Sequence, residues 1–310
     1  LVLSATIDKY AFATLRPKRE RDITVHSLDY NFSTKYNLEE PLPYDGSLDL
    51  VKAAINRLNT GENNEGMDFF LHADAPPGSG LGASSTLVVA LIGLFKHRFH
   101  LPLTNYEIAE LAYQIERVDM AIHGGKQDQY AATFGGFNLI EFSEGTAIVT
   151  PLRMPADVLN ELHYNMLLCF TGKTRISSGI IETQVENYMR REDEVIQAME
   201  ELKAITERMK RALLQGRLTE FGGLLHDAWE NKKRMAQQIS PPFVDELYQV
   251  ARETGALGGK ISGAGGGGYM FFYCDFERKH LVAEALEKMG ARVVEFDFDF
   301  HGLQTWEVRP

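Results

Sequence analysis

The chain has 310 residues, enough for two domains and a sizeable core, and with 44% hydrophobic and 24% charged residues it has the composition of an ordinary globular protein. Its net charge of −11, from 32 Lys+Arg against 43 Asp+Glu, argues against a nucleic-acid or anionic-membrane binder. No apolar run approaches the roughly 20 residues that cross a bilayer, and no signal peptide is visible.

Cys169 and Cys274 fall inside apolar, strand-like runs, which predicts small core hydrophobes in a reducing compartment and a cytoplasmic location. The sequence opens at Leu1 without a methionine, directly in an alternating run, so a preceding segment is expected. Leu1 to Leu15 and Asp22 to Tyr30 alternate like strands around the basic cluster Arg16 to Arg21, which reads as a solvated hairpin tip. Tyr36 to Gly46 is irregular, Leu48 to Leu58 has helical spacing, and Asn59 to Asn64 is a turn.

The alternating run Met67 to Asp74 then enters Pro76-Pro77-Gly78-Ser79-Gly80-Leu81-Gly82-Ala83-Ser84-Ser85-Thr86, and an apolar helical run, Leu87 to Phe95, leaves it. Strand, glycine loop and helix start together present free N–H groups and a helix dipole to one point, which suits an anion, most often a phosphate. Thr104 with Glu107 predicts a capping box opening a helix that runs to about Met120. Glu116 flanks that helix's apolar stripe and Asp119 falls inside it; both acids are costly to bury without a partner.

His123 to Tyr130 breaks the pattern, and Phe137 to Phe142 and Thr146 to Leu152 read as strands. A domain boundary is expected around Pro151 to Pro155, dividing residues 1–152 from 153–310. Beyond it the spacing predicts a buried strand, Tyr164 to Phe170, several helices from Ser178 to Thr254, and strands Leu257 to Ile261 and Tyr269 to Cys274. A helix, Phe276 to Met289, and strands Ala291 to Phe298 and Leu303 to Val308 follow. The ending is α+β with a mainly antiparallel sheet.

Three phosphate templates can be tested. Gly78-x-Gly80-x-x-Ala83 and Gly263-x-Gly265-x-x-Gly268 both fit a dinucleotide fingerprint. The first lacks the second strand with its ribose-binding acid, and the second runs into a strand rather than a helix. Gly172-Lys173-Thr174 resembles the end of a P-loop, but the glycine required five residues earlier is Leu167. Protein-kinase signatures are absent.

The pattern Pro76 to Ser85 does resemble the phosphate loop of the kinases of galactose, homoserine, mevalonate and phosphomevalonate, the GHMP superfamily. Lys260-Ile261-Ser262-Gly263-Ala264-Gly265-Gly266-Gly267-Gly268 resembles its C-terminal glycine motif. Glu116-Arg117 followed by Gly125-Lys126-Gln127-Asp128 is similar to its metal-glutamate and catalytic-aspartate region. These matches follow the family's order over nearly the whole chain. Leu1 to Tyr10 and Lys126 to Asn138 resemble the branch that phosphorylates D-glycero-D-manno-heptose 7-phosphate at the anomeric 1-hydroxyl to give the 1,7-bisphosphate. The resemblance implies a two-domain α+β fold, with an N-terminal ribosomal-protein-S5-like domain and a C-terminal ferredoxin-like domain. It also implies an N-terminal sugar-contacting motif, a glycine-rich turn with Thr-Asp, upstream of Leu1.

On this resemblance Pro77, Gly78, Ser79, Gly80, Leu81, Gly82, Ala83 and Ser84 bind ATP, the backbone N–H groups from Ser79 to Ser84 cradling its phosphates. Ser85, or Ser84, and Glu116 hold Mg²⁺. Asp128 accepts or orients the proton of the attacking hydroxyl, and Lys126 keeps Asp128 ionised. Lys173 and Arg175 are the candidates for the phosphate already on the substrate, with Arg16, Lys18 and Arg21 behind them. Gly263, Ala264 and Gly265 close the site through their backbone. His123 and His226 read as structural. Expected partners are a sugar phosphate and ATP, with no nucleic acid or membrane; a homodimer is compatible with the sequence. Rival readings are another sugar 1-kinase of the fucose type, and a catalytically idle family member that senses sugar and nucleotide.

Overall fold

The computed structural model describes residues 1–37, 40–59, 65–174 and 178–308. In chain order the first elements are β1 (Val2–Ala5), β2 (Ala11–Lys18), β3 (Asp22–Ser27), β4 (Phe32–Asn37), α1 (Asp49–Leu58), β5 (Gly66–Ala73) and α2 (Ala83–Phe99). Next come α3 (Asn105–Tyr113), α4 (Gln127–Phe134), β6 (Phe137–Ser143), β7 (Thr146–Pro151), α5 (Ala156–Asn165) and β8 (Met166–Phe170). The remainder is α6 (Ser178–Met189), α7 (Asp193–Leu214), α8 (Leu218–Lys233), α9 (Pro242–Thr254), β9 (Ala256–Ile261), β10 (Tyr269–Cys274), α10 (Lys279–Lys288) and β11 (Arg292–Val294).

The chain forms two compact units that interleave in sequence. One comprises Lys9–Pro76, Gly82–Gly135 and Phe300–Pro310. Its sheet has the order β2-β5-β3-β4, with β3 and β5 parallel and the other pairs antiparallel. Alternation explains the strands: Ile23 and Val25 of β3 and Met67, Phe69 and Leu71 of β5 are buried on one face. Helices α1 and α2 supply the rest of that core through Val51, Ile55, Val88, Val89, Leu91, Ile92 and Phe95. The Phe69 and Phe95 rings stack with centroids 5.9 Å apart.

The capping box at Thr104 forms as expected: Thr104 accepts from the Glu107 N–H, and the Glu107 carboxylate accepts from the Thr104 N–H. The helix then departs from expectation. After Tyr113 it loosens into a π-helical turn, Gln114–Asp119. The stretch Leu303 to Val308, expected as a strand, forms none; Leu303 instead packs on α2, where a Cβ at Gly93 would lie 2.6 Å from its Cδ1.

The other unit comprises Leu1–Asp8, Pro77–Leu81 and Gly136–Asp299. Its sheets have the orders β1-β6-β7 and β11-β8-β10-β9, all antiparallel among the described residues. The second order, with helices between β8 and β9 and between β10 and β11, is the ferredoxin-like arrangement expected from the resemblance. Cys169 and Cys274 are buried there as free thiols, and burial pushes the pKa of each up to about 12, which keeps them protonated and unreactive. Helix α5 was not foreseen: Pro155, expected to mark a boundary, sits at its start, where a missing N–H costs nothing.

A single cut between residues 152 and 153 does not describe this division. β1 pairs with β6, and Phe137 and Leu162 share one apolar cluster with Phe221 and Leu225 of α8, so the chain's first residues and β6 and β7 belong with the C-terminal helices.

Candidate active site

The stretch from Pro77 to Ser85 carries the site's first component. Gly78, Gly80 and Gly82 all have positive φ, at 74°, 83° and 71°. At two of them a side chain is also excluded by space. A Cβ on Gly80 would lie 2.5 Å from the Ser262 carbonyl oxygen, and one on Gly82 would lie 3.1 Å from Cβ and Cγ of Asp128. Gly82 is the N-cap of α2, no side chain caps that end, and no acid occupies its first turn. The leading N–H groups of α2 are thus left for an anion, with the helix dipole behind them. Ser79 is 1% exposed and its Oγ has no partner among the described residues.

The second component is a carboxylate. Glu116 sits in the π-helical turn and is 0% exposed. Ser85 Oγ donates to its Oε2 at 2.6 Å, Ser84 Oγ to its Oε1 at 3.2 Å, and Gln129 Nε2 also donates to Oε2. The Arg117 guanidinium stands 3.9 Å from Oε2. Two hydroxyls from the first turn of α2 therefore converge on one buried carboxylate, an all-oxygen donor set. Among the described residues no group of three or more His, Cys, Asp or Glu side chains could cage a metal. Mg²⁺ does not require a cage; it is commonly held by one or two carboxylates, with substrate phosphates and water completing the shell. The residues present fit an ion bound in that way. Asp119, the other acid considered, stands instead 3.8 Å from Arg57.

Asp128 opens α4, a helix hidden at the sequence level by the glycines before it. Burial pushes its carboxyl above the ordinary value, and the Glu116 charge pushes it the same way; a Gln127 hydrogen bond and the Arg117 charge oppose them. Lys126, expected to keep Asp128 ionised, turns elsewhere. Its ammonium lies 2.9 Å from Glu110 Oε2 and 4.2 Å from the Tyr113 ring centroid, a carboxylate and a ring face that both favour a cation. Arg117, named in the motif beside Glu116 but given no role there, is the cation of this cluster. It donates to the carbonyls of Gly125 (3.3 Å) and Ile122 (3.4 Å), and a Cβ on Gly124 would lie 2.4 Å from its Cζ. It thereby ties down the glycine turn that delivers Asp128.

In the other unit, the glycine run holds the first half of the loop. Ser262 Oγ donates to the Gly80 carbonyl at 2.8 Å, and the Tyr269 N–H donates to the Ser79 carbonyl at 2.9 Å. Gly266 and Gly268 spend their N–H groups on the carbonyls of Ile239 and Lys173, both at 2.8 Å. Lys173 is exposed, with its ammonium 4.7 Å over the Phe243 ring, and Arg175 lies outside the described residues. Arg16 and Lys18 are engaged by Asp68, at 2.7 and 2.6 Å. His226 hydrogen bonds the Tyr248 hydroxyl at 2.8 Å, in keeping with a structural role.

Comparison with known proteins gives this constellation a family. Residues 49–136 match the GHMP kinases N terminal domain, and residues 209–292 match the GHMP kinases C terminal domain. A D-glycero-alpha-D-manno-heptose 7-phosphate kinase from Campylobacter jejuni is 39% identical over 99% of this chain and 91% of its own length. The chain belongs to the GHMP kinases.

As a member of that family it is an ATP-dependent sugar kinase, with the mixed two-domain fold of its relatives. A crystal structure of a D-glycero-D-manno-heptose 1-phosphate kinase from Bacteroides thetaiotaomicron superposes with a TM-score of 0.82 at 35% identity, covering 100% of this chain and 90% of that one. A galactokinase from Lactococcus lactis shares the fold, with a TM-score of 0.74 at 20% identity over 96% of this chain and 87% of the other. No described helix of this GHMP kinase is long and apolar enough to cross a membrane. Gln129 is the residue of the candidate site least visible beforehand. It is 0% exposed, bonded to Glu116, and its Oε1 has no partner among the described residues. A buried glutamine facing a buried glutamate across a loop leaves no trace in spacing or composition.

Proposed function

We propose that this kinase transfers the γ-phosphoryl group of ATP to the anomeric 1-hydroxyl of D-glycero-D-manno-heptose 7-phosphate, giving the 1,7-bisphosphate. The observation that carries the reading is the 39% identity, over 99% of the chain, to the Campylobacter jejuni heptose 7-phosphate kinase.

Phosphoryl transfer asks a protein mainly for alignment and charge neutralisation. N–H groups from Gly78 to Ser84 hold the ATP phosphates, helped by the uncapped start of α2. Ser85, with Ser84, and Glu116 are assigned to Mg²⁺, which supplies charge neutralisation between the phosphates when bound. Asp128 takes the proton of the sugar hydroxyl as it attacks. Its raised pKa suits a base that must hold that proton during transfer, and Arg117 fixes the turn before it. Gly263, Ala264 and Gly265, whose N–H groups carry no hydrogen bond among the described residues, are assigned to substrate oxygens. Lys173 and Arg175 remain candidates for the phosphate already on the substrate. Two buried free thiols support a cytoplasmic location, and a homodimer would show in sedimentation.

The names of the two heptose kinases place the existing phosphate at different ends of the sugar, C7 in one and C1 in the other. Incubation with ATP, Mg²⁺ and heptose 7-phosphate, heptose 1-phosphate or fucose, followed by ³¹P–¹H correlation of the product, separates the readings. A new phosphorus coupled to H1 from the 7-phosphate alone supports ours. Turnover of fucose at an equal rate supports the fucose-type alternative, and product phosphorylated at C7 from the 1-phosphate overturns the 1-kinase assignment.

A further inference from the structure

Helix α8 and strand β9 pack face to face. Gly258 has no side chain where β9 meets α8: a Cβ there would lie 2.1 Å from the Gly222 carbonyl and 2.6 Å from the His226 nitrogen. Side chains two apart on a strand share a face, so Lys260 points to the same side as Gly258, towards α8. Near the end of α8 stands Lys232, whose ammonium donates to Gln184 Oε1 of α6 at 3.3 Å. Both lysines are partly buried.

Neither forms an ion pair among the described residues, although the surrounding elements are rich in acids. Glu230 pairs with Lys233 at 2.8 Å, Glu220 with Arg217 at 2.6 Å and Glu186 with Arg190 at 3.6 Å. Asp227 and Glu230 line a groove with Glu201 and Arg208 of α7. Two half-buried ammonium groups thus stand where β9 packs on α8 and at the end of α8, one of them held by a neutral amide oxygen and neither with a counterion among the described residues. Burial, and then the Lys260 charge, push the pKa of Lys232 down to about 8, and burial pushes that of Lys260 down as well. An arrangement that disfavours charge in the free protein is one that a bound anion would relieve.

The pair's position in the chain points to which anion. Two residues after Lys260, roughly 7 Å along the strand, Ser262 donates to the Gly80 carbonyl of the phosphate loop, at 2.8 Å. Lys260 is therefore rigidly tied, within one unit, to the segment that presents Ser79 and Gly80. The carbonyls of that segment are spent on Ser262 and Tyr269 rather than facing the lysines. The ATP phosphates already have a cradle with its own donors.

We propose that Lys232, positioned by the Gln184 amide oxygen, and Lys260 form the subsite for the phosphomonoester that the sugar substrate already carries. This rests on the heptose 7-phosphate reading above and supplies its missing cationic contacts. The subsite predicts a preference for a phosphorylated acceptor without calling on the exposed Lys173.

The test uses Lys232→Met and Lys260→Met, which keep the aliphatic stem, with Lys232→Gln as a second variant if either methionine form misfolds. Steady-state rates are measured with heptose 7-phosphate and ATP varied separately. The expected result is a KM for the sugar phosphate raised about 10- to 100-fold, as for loss of a charged hydrogen bond, with the KM for ATP within twofold of wild type. A raised KM for ATP instead assigns the lysines to the nucleotide and overturns the proposal, as does an unchanged KM for both. Calorimetric titration of wild type with inorganic phosphate, in the presence of saturating ADP and Mg²⁺, separates this from the parent reading. Binding lost in both methionine variants upholds the subsite even if wild type does not turn over heptose 7-phosphate, in which case the substrate assignment alone falls. Turnover of heptose 7-phosphate with phosphate binding intact in the variants removes the subsite and leaves the substrate assignment standing.

Discussion

A carboxyl group withdrawn from water, and then held within electrostatic reach of a second, fully buried carboxylate, resists losing its proton, and Asp128 is in that position with respect to Glu116. Two consequences follow. Because the folded-state pKa is above the unfolded one, the folded protein binds more protons between the two values, so this group's contribution to stability falls as pH rises through that window. Asp128→Asn should therefore lose about 10²- to 10⁴-fold in kcat while its thermal midpoint without ligands is no lower than wild type at pH 7. That difference in midpoint should shrink on acidification below the raised pKa. A midpoint well below wild type would make Asp128 a structural residue. For catalysis, the acid limb of kcat/KM should lie above the ordinary aspartate range, and saturating Mg²⁺ should move it down, because a cation near Glu116 favours ionised Asp128. Glu116→Gln should raise the Mg²⁺ concentration for half-maximal rate by at least the ~10- to 100-fold that loss of even an outer partner costs. An unchanged Mg²⁺ dependence would remove Glu116 from the metal. Of these two acids, spacing marked Glu116 alone, on the flank of an apolar stripe, and the role of Asp128 came from the family resemblance of its motif. Their partners were not legible: whether Lys126 turns to Asp128 or Glu110, and that Arg117 and Gln129 close the cluster, depends on the path of a loop that local pattern does not encode.

At the scale of elements, the loop-to-helix junction concentrates the constraint. Gly82 must be left-handed for the chain to turn into α2, and its missing Cβ is what lets Asp128 approach the loop. Gly145, in the turn between β6 and β7, has nearly the same φ, 73° against 71°, but a Cβ there would meet nothing within 4 Å. Gly145→Ala and Gly82→Ala should each cost about 1–3 kcal/mol of backbone strain. Only Gly82→Ala should also depress kcat, by ~10²-fold, through displacement of Asp128. Equal activity in the two variants would show that the contact at Gly82 does not position the aspartate. The junction was readable in advance because glycine spacing, an alternating strand and an apolar helix report the same geometry. The capping box at Thr104 was readable for the same reason. The π-helical turn was not: its extra residue per turn rotates Glu116 into the core, yet the apolar stripe through Ile108, Ala112 and Ile115 continues as in an ordinary helix.

For the molecule as a whole, the sequence suggested a single cut and the fold uses an interleaved one. The alternating runs at both ends of the chain were visible, but which sheet each joins is decided by long-range pairing. The unit that carries the glycine run shows why this matters. Its apolar cluster around Met209, Leu213, Phe221 and Leu225 is completed by Phe137 of β6 and by Leu3 of β1. Phe298 also packs against Phe137, with ring centroids 4.7 Å apart. A fragment of residues 153–310 keeps the ferredoxin-like sheet but loses β1, β6 and β7, so one side of helices α7 and α8 is left uncovered. Burial of those aromatic and aliphatic side chains is worth about 1.5–3 kcal/mol each, comparable in sum to the whole stability of a domain. The fragment should therefore retain far-ultraviolet helical signal but lose near-ultraviolet aromatic signal and bind a hydrophobic dye, as a loosely packed state does. Supplying residues 136–152 alone should restore only part of the packing, because β6 would still lack the β1 edge that Val2 to Ala5 provide through Phe137 to Ile140. A native-like near-ultraviolet spectrum from 153–310 would show that the cluster is self-sufficient and that the chain divides where its sequence first suggested.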